Sequence, residues 1–368
     1  MSGEFGEFHD ELRTVARDLL GKTGADGVDW PLLVRAGWTG LEVPEEYEGT
    51  AATFTEVAIL LEEIGRAAAR TAYPSVAAGV GALSALEPDA RRDTVLRETV
   101  AGTTIPVAVL GGDMVPAAGG ETACAGTGGI VPTFLLTETI EGFRLSGSAD
   151  FVPDAPVATT LLIPARAPGG SVRLVFVEPG AGGLRIAERQ VVDATRSLGR
   201  VEAHEVSVAA ESIRPFRSDI RDGLRVLYDR AALAVACDSL GIAASMLDAT
   251  VEYARVRTQF DRPIGSFQAV KHACADMFVE LTIARRLVSG ALAADGTADR
   301  SRAVSAAKSF TGEAGVRIAG KAMQLHGGIG YTWESGIHRY LKRATLNRAL
   351  FGAPADHRRV LADRYRAG

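Results

Sequence analysis

The spacing of apolar residues changes period twice along this chain, and that constrains the fold more than any other feature. Up to about residue 103 the period is helical: Phe8, Leu12, Val15, Leu19 and Leu20, then Val57, Leu60, Leu61 and Ile64, recur three and four apart with charges between them. Val43-Pro44-Glu45-Glu46-Tyr47-Glu48-Gly49 is a turn-rich break between the two runs. From about 104 the helical period disappears. Residues 104–110, 133–137, 159–163 and 171–177 are short β-rich runs separated by Gly, Pro and Asp, the texture of an antiparallel β unit. From about 219 helical spacing returns with Leu224, Leu227, Ala231, Ala234, Leu240 and Leu247, breaks at Asp261-Arg262-Pro263-Ile264-Gly265, and resumes. The expected fold class is α+β multidomain, with a helical N-terminal domain over 1–103, a middle antiparallel β domain over 104–218 and a helical C-terminal domain over 219–368.

Composition excludes several classes of function. Forty Lys and Arg against 45 Asp and Glu give a formal net charge of −5, which argues against a nucleic-acid partner. Cys124, Cys237 and Cys274 lie far apart without metal-ligand spacing, so a disulfide framework or a metal site is not expected. Residues 1–7 lack a basic stretch followed by an apolar one, and the uncharged stretch 71–86 is broken by Pro74, Gly79 and Gly81. No secretory signal and no membrane span are expected, and a cytoplasmic location fits.

Familiar catalytic signatures are missing. Gly328-Ile329-Gly330 continues as Tyr331-Thr332-Trp333 and lacks the third glycine of a dinucleotide fingerprint. There is no Walker loop, no Gly-x-Ser-x-Gly and no His-Glu-x-x-His, and the histidines are scattered. Two constellations remain in the last third. One runs from Arg255 through Arg257, Phe260 and Gln268 to His272. The other is Gln324-Leu325-His326-Gly327-Gly328-Ile329-Gly330-Tyr331-Thr332. Paired glycines let backbone approach a ligand, and an Arg at a helix end can clamp a pyrophosphate. Each alone has a plainer explanation as a turn or a helix cap.

In this order on an α, β, α chain they resemble the acyl-CoA dehydrogenase family. Gly37-Trp38-Thr39-Gly40-Leu41-Glu42-Val43-Pro44-Glu45-Glu46-Tyr47, Glu62-Glu63-Ile64-Gly65-Arg66, and Leu145-Ser146-Gly147 followed by Phe151-Val152-Pro153-Asp154 share in the likeness. The resemblance implies a C-terminal four-helix bundle, assembly as homo- or hetero-oligomers, and FAD bound between the β domain of one subunit and the bundle of its neighbour. By the same resemblance Arg257 would hold the FAD pyrophosphate, Phe260 and Gln268 would line the cofactor, and Gln324, Gly327 and Gly328 would contact its ADP part. The implied reaction is α,β-dehydrogenation of an acyl-CoA thioester, with an electron-transfer flavoprotein or equivalent acceptor collecting the electrons.

The chain departs from the family where chemistry is expected. The two usual positions of the family's carboxylate base correspond to Phe351 and Ala231, and neither can take a proton. Asp238 lies seven positions beyond Ala231, on the same helix stripe but ~10 Å further along the axis; it is the leading substitute, ahead of Asp229 and Asp356. Where the family shows an aromatic residue and a hydroxyl against the flavin ring, this chain has Phe151 and Pro153, and Pro153 has no N–H or hydroxyl to donate. The expected Thr-Glu-Pro stretch is unrecognisable in residues 111–116. The leading expectation is a subunit that completes the FAD site of a catalytic paralogue in an α2β2 assembly. Alternatives are a homo-oligomeric enzyme using Asp238, a flavin monooxygenase on the same scaffold, and a scaffold subunit without flavin.

Overall fold

The computed structural model describes residues 2–21, 27–115, 130–217 and 222–362. Cys124 and Pro116, considered above, lie outside them. Five helices come first: α1 (Ser2–Gly21), α2 (Trp30–Arg35), α3 (Phe54–Ala67), α4 (Tyr73–Ser84) and α5 (Ala90–Val100). The start of α3 is written in the sequence. Thr53 caps it, and Glu56 reaches back to the Thr53 N–H at 2.8 Å and accepts from His9 at 2.7 Å, which satisfies donors that a helix N-terminus leaves open. Val57, Leu60, Leu61 and Ile64 are all buried, as their spacing predicts.

The middle of the chain forms an eight-stranded sheet of β1 (Pro106–Ala108), β2 (Phe134–Thr139), β3 (Gly142–Pro153), β4 (Thr160–Arg166), β5 (Val172–Val177), β6 (Leu184–Arg189), β7 (Leu198–Val208) and β8 (Ile213–Pro215). Its main path is β6-β7-β3-β2-β4-β5-β8, with β1 added beside β4. The expectation of an antiparallel unit needs correction: β4 pairs in parallel with both β1 and β2, so the sheet is mixed. The short runs carry no signal for this, because residues brought together as Pro106 and Thr160 are far apart in the chain. β3 bulges between Ala149 and Val152, and Phe151 there takes a left-handed φ of 51°, which re-aims its side chain near the end of the strand.

The chain returns to helix with α6 (Gly223–Val256), the tight hairpin β9 (Thr258–Gln259) and β10 (Arg262–Pro263), then α7 (Gln268–Ala293), α8 (Arg300–His326), α9 (Ile337–Ala349) and α10 (Pro354–Ala362). Helices α6 to α9 pack as the C-terminal bundle. α6 is apolar and long enough to cross a membrane, but 83% of its most apolar window is buried inside the fold; it is the central core helix. Where α3 crosses it, each helix offers a glycine to the other's backbone. A Cβ on Gly241 would lie 1.8 Å from the Glu62 carbonyl oxygen, and one on Gly65 would lie 2.0 Å from that of Asp238. The two backbones touch there because neither has a side chain in the way. As a result the N-terminal and C-terminal helices share one apolar core, while the two-sided sheet has a second core of its own.

Candidate functional site

At the junction of α4, the sheet and α6 lies a cavity of about 50 Å³. Ala78 comes from α4, Leu198 from β7, and Ala231, Ala234 and Val235 from α6, while Leu350 and Phe351 come from the turn after α9. Both residues that stand where the family's base is expected, Ala231 and Phe351, therefore face one cavity. Its described lining contains no carboxylate. Pro153 lines it too and offers no hydrogen-bond donor. The polar side chains that do line it are Ser75 and Arg196.

The Phe351 turn is fixed from several sides. Its N–H donates to the Gly112 carbonyl at 2.7 Å, and its own carbonyl accepts from Tyr228 at 2.6 Å and from His357 Nε2 at 2.9 Å. His357 Nδ1 lies 3.2 Å from Ser305 Oγ. Burial, reinforced by the nearby Lys308 cation, pushes the His357 pKa down to about 4, so the ring is neutral at pH 7. Lys308, buried in α8, donates to the carbonyls of Asn347 and Gly352 at 3.0 Å each and more weakly to Arg348, closing the open carbonyls at the end of α9. Burial lowers its pKa to about 7. Phe351 is held at φ 53° and buried; a bulky residue in this region costs ~1–2 kcal/mol, so the surrounding hydrogen bonds impose its position.

Asp238 does not face the cavity, and its surroundings overturn the expectation that it serves as a base. It is 1% exposed, and its oxygens accept from Arg343 Nε at 3.0 Å, Arg343 Nη2 at 2.5 Å and Asn347 at 2.6 Å, with Arg196 Nη2 at 3.0 Å. Burial pushes its pKa up, but Arg196 and Arg343 outweigh it and leave the carboxyl at about 2. Sequence spacing put it on the right stripe, and partners 42 and 105 residues away took it for an ion-pair cluster. Asp229 is likewise buried, bonded to Arg225 at 2.8 Å and to Ser301. Asp356 accepts the Ala353 N–H at 2.9 Å and caps α10. One further acid sits behind the cavity wall: Asp154, left-handed at φ 54°, accepts from the lining residue Ser75 at 2.6 Å, and burial raises its pKa to about 6.

The other candidate residues lie elsewhere. Arg257 caps the end of α6, and its carbonyl accepts the Ile264 N–H at 2.8 Å to close the hairpin. Phe260 is 86% exposed at the hairpin tip with φ 50°, and Gln268 opens α7. Gln259, Phe260, Phe267, Lys321 and Gln324 line an open groove of about 510 Å³. Tyr253 of α6 stacks on His326 at 4.4 Å, and His326 Nδ1 donates to the Ala322 carbonyl. That contact ties the Gly327-Gly328 turn to the helix end bearing Arg257. A Cβ on Gly328 would meet nothing within 4 Å, so packing inside the chain does not require that glycine, whereas Gly327, at φ 61° and ψ −142°, has a backbone conformation that favours glycine whatever the space around it. Lys321, Gln259 and Gln324 give this groove a cation and two amides, a donor set compatible with a phosphate-bearing ligand, while Arg257, Gln268, Gly327 and Gly328 are not among its described lining residues. The cavity beside Phe151 and Pro153 does not fit a flavin ring that needs a donor at Pro153. The groove and the cavity share no lining residue.

Comparison with known proteins decides the family. The acyl-CoA dehydrogenase N-terminal domain family matches residues 7–103 and the acyl-CoA dehydrogenase C-terminal domain family matches residues 226–365, together more than half of the chain. The chain belongs to the acyl-CoA dehydrogenase family. It is 31% identical to acyl-CoA dehydrogenase IpdE2 of Mycobacterium tuberculosis over 335 residues, covering 90% of this chain and 85% of that one. It is 29% identical to acyl-CoA dehydrogenase IpdE2 of Mycolicibacterium smegmatis, covering 96% and 93%. A chain of the ChsE4–ChsE5 complex from Mycobacterium tuberculosis superposes with a TM-score of 0.83 at 26% identity, covering 98% and 97%. Acyl-CoA dehydrogenases are FAD-dependent oxidoreductases, and this chain carries that fold: helical N-terminal region, central mixed sheet and C-terminal helices.

Proposed function

We propose that this acyl-CoA dehydrogenase chain is the base-free subunit of a hetero-oligomer, in which its bundle completes an FAD site shared with a catalytic paralogue. One observation carries the reading: the cavity that takes in both Ala231 and Phe351 has no carboxylate among its described lining residues, while Arg257, Gly327 and Gly328 stay exposed. The similarity to a chain of the ChsE4–ChsE5 complex supports a two-chain assembly of the α2β2 kind.

When bound, FAD supplies the acceptor for the electron pair leaving the acyl-CoA. This chain's part is binding and orientation. Arg257 would hold the pyrophosphate, Phe260 and Gln268 would line the cofactor, and Gln324 with the backbone of Gly327 and Gly328 would take the ADP end. Phe151 and Pro153 leave the chain's own ring position without a donor. The α-proton would go to a base supplied by the partner chain, and an electron-transfer flavoprotein or equivalent acceptor, in the cytoplasm, would collect the electrons.

Flavin absorbance against protein tests this reading, for the chain alone and after co-expression with a paralogue encoded nearby. Little flavin alone and about one per pair of chains in the complex is the expected result. One flavin per chain in the isolated protein overturns it.

A further inference from the structure

Arg257 and the Gly327-Gly328 backbone sit on the ends of two helices that are neighbours in the bundle but far apart in the chain. Arg257 closes α6, and the two glycines follow α8. Tyr253 lies one turn before Arg257, and its carbonyl accepts the Arg257 N–H at 2.9 Å, so its ring and Arg257 belong to one helix end. His326, the last residue of α8, is 8% exposed. Its ring and that of Tyr253 lie 4.4 Å apart with 22° between their planes.

This stack meets the turn at its most constrained point. The His326 Nδ1 bond to the Ala322 carbonyl, 2.8 Å long, fixes the ring against α8. Gly327 comes directly after it in a conformation that favours glycine, and Gly330 folds back so closely that a Cβ there would lie 2.7 Å from the Met323 carbonyl oxygen and 3.2 Å from His326 Cβ. The direction in which the chain leaves α8 therefore depends on where His326 stands, and Tyr253 packs against it there. Neither residue is among the described lining of the open groove.

We infer that the Tyr253–His326 stack is the spacer of the shared cofactor surface: it holds the Gly327-Gly328 backbone at a set distance from Arg257, and FAD affinity depends on it without contact from either ring. The inference rests on the function proposed above and adds two positioning residues to it. Two halves of a site that are already in register bind more tightly than halves that must be ordered by the ligand.

The test measures FAD affinity of the co-expressed complex for wild type, His326→Ala, Tyr253→Leu and Tyr253→Phe. The two variants without the stack should bind FAD about tenfold more weakly, and Tyr253→Phe, which keeps both rings, should match wild type. Tyr253 is half-buried, so Tyr253→Leu carries the test if His326→Ala does not fold. Coupling separates positioning from general loosening. With Arg257→Ala already in place, His326→Ala should weaken FAD by roughly twofold at most, because no clamp is left to be spaced from the turn. In the flavin-free chain, the Gly327 N–H bonded to Gln324 and the Thr332 N–H bonded to Ile329 should exchange with solvent about tenfold faster in both stack-breaking variants and at the wild-type rate in Tyr253→Phe. Wild-type affinity or exchange in the stack-breaking variants, or a full further tenfold loss on top of Arg257→Ala, overturns the inference. A wild-type complex that holds no flavin overturns the proposed function and the inference together, whereas flavin held equally by wild type and variants overturns the inference alone.

Discussion

Arg343 holds Asp238 with two prongs, Nη2 to Oδ1 at 2.5 Å and Nε to Oδ2 at 3.0 Å, and both side chains are closed off from solvent. A third contact links them to the sheet, since Arg343 Nη1 donates to Thr195 Oγ1 at 3.0 Å and to the Ala69 carbonyl at 2.8 Å. One guanidinium therefore ties α9 to α6, to the segment before β7 and to the end of α3. Removing one member of a buried ion pair leaves the other charge uncompensated.

Asp238→Asn should accordingly lower the stability of the fold by about 3 kcal/mol. Urea unfolding reads this directly. A normal midpoint combined with lost turnover would restore Asp238 as a base.

Gly241→Ala should destabilise by roughly 1–3 kcal/mol, because its Cβ runs into the Glu62 carbonyl and the crossing of α3 and α6 must open. Gly290→Ala in α7 is the control. No atom lies within 4 Å of its added Cβ, and relief from glycine's helix cost should leave it neutral or more stable by up to ~1 kcal/mol. Thermal melts of the two variants should move in different directions.

Lys308 predicts a pH dependence. Its folded pKa of about 7 lies below the ordinary 10.5, so between those values the unfolded chain binds more protons than the folded one and stability rises with pH. The wild type should gain on the order of a few kcal/mol between pH 7 and 9.5. Lys308→Met should flatten that rise, measured as urea midpoints at the two pH values; an unchanged slope would show that Lys308 is not the titrating group.

Arg257→Ala concerns the shared site. The side chain is exposed, so the melting temperature should not move. In the co-expressed complex, loss of a charge-assisted clamp worth ~1.5–3 kcal/mol should weaken FAD binding by roughly ten- to a hundredfold. Flavin retention equal to wild type would remove Arg257 from the cofactor surface.

Local chemistry made much of this legible before any coordinates. The stripe of Val57, Leu60, Leu61 and Ile64 and the cap at Thr53 locate α3, because helix period and capping are short-range. The strands β6 and β7 were not visible: Arg185, Glu188, Arg200, Glu202 and His204 put charge into them, and an edge strand or one with a solvated face lacks the apolar run that marks its neighbours. The parallel pairing of β4 and the partners of Asp238 depend on contacts between distant segments. Arg196 had no sequence signal either; the Asp193 carboxylate turning back to the Thr195 N–H at 2.9 Å sets the tight bend that presents it.

The shared core of the first and last helices also imposes an order of events on synthesis. α3 packs on α1 and on α6, and the ion pair from Arg66 to Asp248 spans 182 residues of sequence. At ~5–20 residues per second, α3 leaves the ribosome on the order of ten to thirty seconds before its partner exists. During that interval Leu60, Leu61 and Ile64 lack the α6 part of the core that buries them. Completion of that core waits until the β segment has been made and α6 follows it out.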